Sequence, residues 1–258
     1  MKEIRISQSM IKAFKDDYCP MKNKVLYITK QFKSIPSLSM MKGTYFETLI
    51  IGSDAHGNQL TTLPSKKNGK PTVDQERIEQ QANSFIQVMK DHSIVIKDKQ
   101  LKLSHKLDTT VFLDGILDIK GSLFDDIDGP VDDAIIDIKL TGNIYNDFGP
   151  YCWKTPHKMD HLQAYMYSYL YEKNFGILPI FYYFVFDYKP EPEYKVIRKH
   201  VGVDETKELM DSIQKTVEKI EMHERRGYWT KGSYDNCRYC PLTSMCKDYK
   251  KAKKIEIV

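Results

Sequence analysis

The sequence predicts an α/β (α+β) protein with a central mixed sheet flanked by helices, and three observations predict it. Helical patterns stand at both ends of the chain, with a run of strand-like segments, one helix and two further strand-like segments between them. Segments 111–118 and 134–139 are short runs of Ile, Leu, Val and Phe bounded by turn formers, as buried strands are. Apolar residues in segments 74–92 and 204–227 instead recur every three or four positions, as on one face of a helix.

A chain of 258 residues makes one large domain or one domain with a small appendage; we read residues 1–258 as one domain with its core at about 40–230. With 41% hydrophobic and 29% charged residues it is globular rather than disordered. A net charge of +4 permits a polyanionic partner without demanding one. The first residues lack a long apolar core, so no signal peptide is expected. The longest apolar run, 177–186, is too short to span a bilayer and holds Pro179. The expected compartment is the cytoplasm, where thiols stay reduced and clustered cysteines favour a metal over a disulfide.

Residues 4–14 lead into a short helix with Ser7 or Ser9 as N-cap and Ile11 and Phe14 on one face, closed by Cys19-Pro20. A second helix, 40–51, carries Phe46, Leu49 and Ile50 with Glu47 beside them. Residues 52–73 are a polar loop, and a helix at 74–92 follows with Ile78, Ala82, Phe85, Ile86 and Met89 as its stripe. Segment 93–107 reads as two short strands with a turn near Asp98. The acidic stretch 125–133 reads as the exposed tip of a hairpin joining the strands at 111–118 and 134–139. Residues 141–158 make a long connection bearing Tyr145, Phe148, Tyr151 and Trp153. Loops of that length often serve function, and exposed aromatics there would stack on bases, although packing under the loop accounts for them equally. A helix at 159–173, a hairpin of 179–188 with 194–201, and a helix capped by Asp204 complete the pattern. The last helix has Leu209, Ile213, Val217 and Ile220 as its stripe and ends near Gly227.

Chemistry concentrates in the strands at 111–118 and 134–139. A buried charge is costly unless it is paired, so aspartates and a lysine inside apolar strands need partners. Side chains alternate along a strand, which puts Asp137 and Lys139 on one face. If the strands are neighbours, Asp118 joins them, and the set suits holding Mg²⁺ and activating a water against a phosphodiester. An Asp–Lys ion pair closing a strand end accounts for the same residues. Gln163 and Tyr167, one helical turn apart, are placed to present donors to a phosphate or to brace a lysine. An ordinary helix surface or core accounts for these as well.

Together, Gly115-Ile-Leu-Asp118, Asp137-Ile-Lys139 and Gln163-Ala-Tyr-Met-Tyr167 resemble, in this order, the motifs of the RecB-like branch of the PD-(D/E)XK nuclease superfamily. Gly43-Thr-Tyr-Phe-Glu47 stands where that branch has its first helix motif, with glutamate in place of the usual histidine. The resemblance runs from Ser7 to Cys246 and implies a PD-(D/E)XK restriction-endonuclease-like core. It implies that Asp118 and Asp137 hold one or two Mg²⁺ or Mn²⁺ ions with the Ile138 carbonyl as a further ligand, Glu47 completing the shell or positioning water. Lys139 then orients the attacking water or neutralises charge on the phosphate, while Gln163 and Tyr167 hold Lys139 and the scissile strand. Asp114 is expected to play a supporting or structural part.

Cys237, Cys240 and Cys246 with one distant partner make a four-thiolate metal set, Cys19 being the natural fourth and Cys152 its competitor. By chemistry alone Zn²⁺ fits as well as an iron–sulfur cluster. The arrangement resembles the iron–sulfur staple of the same branch, seen in bacterial double-strand-break-repair nucleases and CRISPR-associated adaptation exonucleases. That likeness implies a [4Fe–4S] cluster on Cys19, Cys237, Cys240 and Cys246, joining the two chain ends. The expected activity is a metal-dependent exonuclease on DNA with a free end or single-stranded region. Recombination, repair or phage replication is the expected setting, with proteins of those processes as partners. A catalytically silent DNA- or protein-binding module of the same fold, or a specific endonuclease, is the competing reading.

Overall fold

The computed structural model describes residues 3–16, 19–31, 36–53, 62–64, 70–229, 240 and 242. The chain divides into two compact units, one of Met1–Ile35, Leu107–Phe112 and Glu208–Val258, the other of Pro36–Lys106 and Leu113–Lys207.

The larger unit is a mixed sheet with helices on both faces. Its strands are β2 (Val95–Lys106), β3 (Val111–Asp125), β4 (Gly129–Thr141), β5 (Ile180–Asp187) and β6 (Tyr194–Lys199). They lie in the order β3-β4-β5-β6, with β2 also paired to β3. β3–β4 and β5–β6 are antiparallel hairpins, whereas β4–β5 is parallel and needs a crossover, which α5 (Leu162–Phe175) supplies. Register then sorts the side chains. Ile136, Ile138 and Leu140 stand level with Tyr182, Phe184 and Phe186, and Asp137 and Lys139 with Tyr183 and Val185 on the opposite face. The first set packs on α3 (Leu38–Ile51) and α4 (Val73–Asp91), where Phe46 and Phe85 meet Phe186 with ring centroids 5.3 and 5.8 Å apart. The second face, with its charges, is left to α5.

Local chemistry sets the element ends, and several differ from expectation. Ser37 caps α3 by accepting from the Met40 N–H (3.2 Å), and Tyr45, Phe46 and Ile51 are buried while Leu49 is exposed. That helix is apolar almost all round, so periodicity could not choose its inner face. On α4, Val88 faces the core and Ile86 is exposed. Segment 93–107 is one strand: Gln100, at φ 51°, kinks it where a turn near Asp98 was expected. Only residues 126–128 form the acidic hairpin tip, because Asp125 is buried at the end of β3. Asp204 is exposed and does not cap α6 (Val203–Arg226); Glu205 reaches back to the Gly202 N–H instead (3.0 Å).

The smaller unit holds β1 (Ile4–Ile6), α1 (Gln8–Asp16), α2 (Pro20–Asn23), a π-helical turn (Lys24–Ile28) and α6 from Glu208 onward. Ile4 N–H donates to Thr110 O (2.8 Å), a three-residue strand too short to show alternation in the sequence. Met10, Phe14, Ile220 and Trp229 form its core. Lys219 Nζ donates to Phe14 O (2.5 Å), fastening α6 to α1. Among the described residues, no helix is long and apolar enough to cross a membrane.

Candidate active site

The charged residues of β3 and β4 meet on the face covered by α5. Lys139 Nζ lies 2.6 Å from Asp137 Oδ2, and Asp137 is almost fully buried. Asp137 Oδ1 accepts from Gln163 Nε2 on α5 (2.7 Å), while Oδ2 has no other hydrogen-bond donor among the described residues. The β3–β4 pairing ends at Ile119↔Ile136, and just beyond it the Ile138 N–H donates to Asp118 Oδ2 (3.0 Å). A side-chain carboxylate thus takes a backbone donor where the ladder stops, anchoring Asp118 beside Asp137.

Glu47, on α3, is within electrostatic reach of the same group. Burial, and then the negative charge of Asp118, push its carboxyl up to about 8. Burial pushes Asp137 up to about 7, with the Lys139 ammonium opposing and Asp118 reinforcing the shift. Burial would lower Lys139, but Asp137 and Asp118 outweigh it and raise its pKa, so this ammonium keeps its proton. Burial followed by the charges of Asp118 and Asp137 raises the Tyr167 phenol as well. Three carboxylates thus influence one another around one lysine, and among the described residues Asp137 Oδ2 lacks any other donor; carboxylate oxygens are the ligand type that hard divalent cations take. Among the described residues, no three or more of His, Cys, Asp and Glu are grouped so that they could hold a metal ion as they stand.

Two supports set this geometry. A Cβ on Gly115 would stand 2.7 Å from Leu170 Cδ1 and 3.0 Å from Tyr167 Cε1, so glycine there lets α5 approach β3 and deliver Tyr167. Gln100, at the kink of β2, extends Nε2 to Glu47 Oε1 (3.4 Å) and to Ser53 O (3.3 Å). Sequence reasoning missed Gln100; a lone glutamine in a polar strand carries no pattern, and its left-handed backbone is the only mark of its task.

Of the expected site residues, Glu47, Asp118, Asp137, Lys139, Gln163 and Tyr167 are gathered, with Ile138 between Asp137 and Lys139 on β4. Gln163 holds Asp137 where Lys139 was expected to be its partner. Asp114 stands apart, accepting from Ser104 Oγ (2.6 Å). Cys19 and Cys240 both belong to the smaller unit, half-buried and in no disulfide; Cys237 and Cys246 lie outside the described residues. Cys152 belongs to the larger unit, buried with its Sγ 3.7 Å from Thr155 O.

No family model matches the chain, and no curated relative matches it. Among solved structures, it is similar to a crystal structure described as "Putative exonuclease" from Eubacterium rectale, with a TM-score of 0.63 and 17% identity over 96% of this chain and 87% of that one. It also matches a structure described as SSO0001, at a TM-score of 0.42 and 12% identity over 96% and 88% of the two chains. At these identities the first likeness shows the fold alone: a mixed sheet flanked by helices, shared over nearly the whole length of both chains.

Proposed function

We propose that this chain is a divalent-metal-dependent deoxyribonuclease of the RecB-like PD-(D/E)XK type, acting as an exonuclease on DNA ends or single-stranded regions. One observation carries the reading: Asp118 and Asp137, from β3 and β4, are held side by side by the Ile138 N–H, the Lys139 ammonium and the Gln163 amide of α5. The description of the Eubacterium rectale protein as an exonuclease agrees with it. A Mg²⁺ or Mn²⁺ held by Glu47, Asp118, Asp137 and the Ile138 carbonyl would supply charge neutralisation and a water of lowered pKa.

Hydrolysis forms one P–O bond to a water oxygen and breaks one to a sugar oxygen, which leaves with a proton. Lys139 holds its own proton too tightly to serve as a base. Its task is to stabilise the charge that grows on the phosphate oxygens. Gln163 fixes the rotamer of Asp137, so that the carboxylate is oriented before substrate arrives. Cleavage of end-labelled linear DNA against closed circular DNA, with and without Mg²⁺, tests the reading. Metal-dependent loss of linear substrate alone is expected; cutting of circles points to an endonuclease, and no cleavage with either metal overturns it.

We also infer that Cys19, Cys237, Cys240 and Cys246 hold a [4Fe–4S] cluster. Cys19 and Cys240 fall in one compact unit, and Cys152 falls in the other. Protein purified without air is expected to be brown, with Cys19→Ala bleaching it and Cys152→Ala leaving it coloured. Colourless protein with stoichiometric zinc rules the cluster out.

A further inference from the structure

The connection between β4 and α5 leaves the sheet just after Lys139 and is built as a firm surface. Asn146 Nδ2 donates to Phe148 O (2.8 Å) and Tyr151 O (3.0 Å), Lys154 N–H donates to Asn146 O (3.0 Å), and the Thr155 hydroxyl holds Asp147. Gly149, at φ 73°, makes a turn that a side chain would strain. Trp153 is buried beneath, with Tyr151 stacked on it at 5.3 Å and 19°, and meets Tyr183 edge-on with ring centroids 6.2 Å apart. Tyr151 lies within electrostatic reach of Lys139, which ties this surface to the site.

On that frame three aromatic side chains face water: Phe148 at 82% exposure, Tyr145 at 56% and Tyr151 at 37%. Lys154, His157 and Lys158 are exposed on the same loop, and Lys189 Nζ lies 5.1 Å from the centroid of Tyr145. Apolar rings held out in water on an ordered loop mark a binding surface. Flat rings set among ammonium groups match nucleobases joined by phosphates. In a duplex the bases are already stacked on one another, so the fitting occupant is an unpaired strand.

We propose that loop 142–160 is a stacking platform for single-stranded DNA, with Phe148, Tyr145 and Tyr151 taking bases and Lys154 and Lys158 meeting phosphates. The strand then reaches Asp118, Asp137 and Lys139 already unpaired. This deepens the nuclease reading and rests on it, but binding can be measured without catalysis. Fluorescence anisotropy of a labelled oligothymidylate and of a blunt duplex, with the full chain in buffer lacking divalent metal, supplies the test. Phe148→Ala is expected to weaken single-strand binding about tenfold, and the Tyr145→Ala, Phe148→Ala double variant about a hundredfold. Duplex binding should change by less than about twofold, Phe148→Trp should restore the affinity, and Phe175→Ala, off the loop, should leave it unchanged. Unchanged single-strand affinity in the double variant, or equal loss for duplex, overturns the platform. Aromatic-dependent binding by a protein that cleaves nothing upholds the platform and sinks the nuclease reading. Metal-dependent cleavage with binding insensitive to Phe148 does the reverse.

Discussion

One strand, β3, carries two buried aspartates in opposite surroundings. Asp125 accepts from Tyr182 Oη (2.6 Å), Ile127 N–H (2.8 Å) and Asp128 N–H (3.2 Å), with Arg198 3.7 Å away. Burial alone would raise its pKa, but these donors outweigh burial and hold it below the usual carboxylate range. Around Asp118, by contrast, burial and mutual repulsion push Glu47 and Asp137 up, and among the described residues Asp137 Oδ2 has no hydrogen-bond donor besides Lys139. A buried charge kept for structure is saturated with donors from its own chain. Asp137 is left short of them, and on the proposed reading the shortfall is where a cation or substrate would act.

Replacing Asp137 with Asn breaks the comparison most directly. On the proposed reading, cleavage is expected to fall at least about a thousandfold, because the charge would act on the reacting centre. The thermal midpoint in chelator should fall, because the Lys139 ammonium loses its ion-pair partner. Near-wild-type cleavage by this variant would mean the site is misplaced.

A Val at Gly115 would push α5 off β3 and draw Gln163 away from Asp137. Activity is expected to drop about a hundredfold for a misplacement on the order of 1 Å. The loss of unfolding free energy in urea should be about 1–3 kcal/mol. If only stability falls, Gly115 serves packing and not the site.

At the saturated end the expectation inverts. Asp125→Ala leaves the Tyr182 hydroxyl and two backbone donors unpaired and should cost about 2 kcal/mol of stability. Its specific cleavage rate should match wild type; a slower rate would erase the distinction between the two aspartates.

Glu47→Gln keeps the shape and removes a carboxyl that can ionise when a cation is present. Half-maximal activity should then require about tenfold more Mg²⁺. An identical metal titration would place Glu47 outside the site.

The smallest effect belongs to a half-exposed carboxylate with its donors met. The Lys199 ammonium (2.8 Å) and then the Gly202 N–H (3.0 Å) pull Glu205 down to about 2 from its ordinary 4.5. A depressed carboxylate contributes stability that is full above the unfolded value and fades as pH falls from about 4.5 towards about 2. Glu205→Gln should therefore cost about 0.5 kcal/mol at neutral pH, discounted for solvent screening. The gap in thermal midpoint should close at pH near 2, and a gap that persists there would trace to the helix cap rather than to charge.

The sequence by itself determined the order of the longer helices, the β5–β6 hairpin and the identity of the charged strands. Alternation and helical spacing are local, so β4 with Asp137 and Lys139 on one face, the β5–β6 hairpin and the α6 stripe could be read from neighbouring residues. Where a helix is apolar all round, as α3 is, the same logic had nothing to choose between Leu49 and Ile51. Only the tertiary structure decided that β4 and β5 run parallel, which sends the chain through α5 and carries Gln163 to Asp137. It also decided how Asp125 of β3 is satisfied: Tyr182 and Arg198 come from β5 and β6, far along the chain. Gln100 reaches Glu47 across 53 residues of sequence, through a kink no spacing rule records. Periodicity reports what a residue's own neighbours impose, whereas a site is made by long-range contacts whose partners are fixed only when the sheet closes.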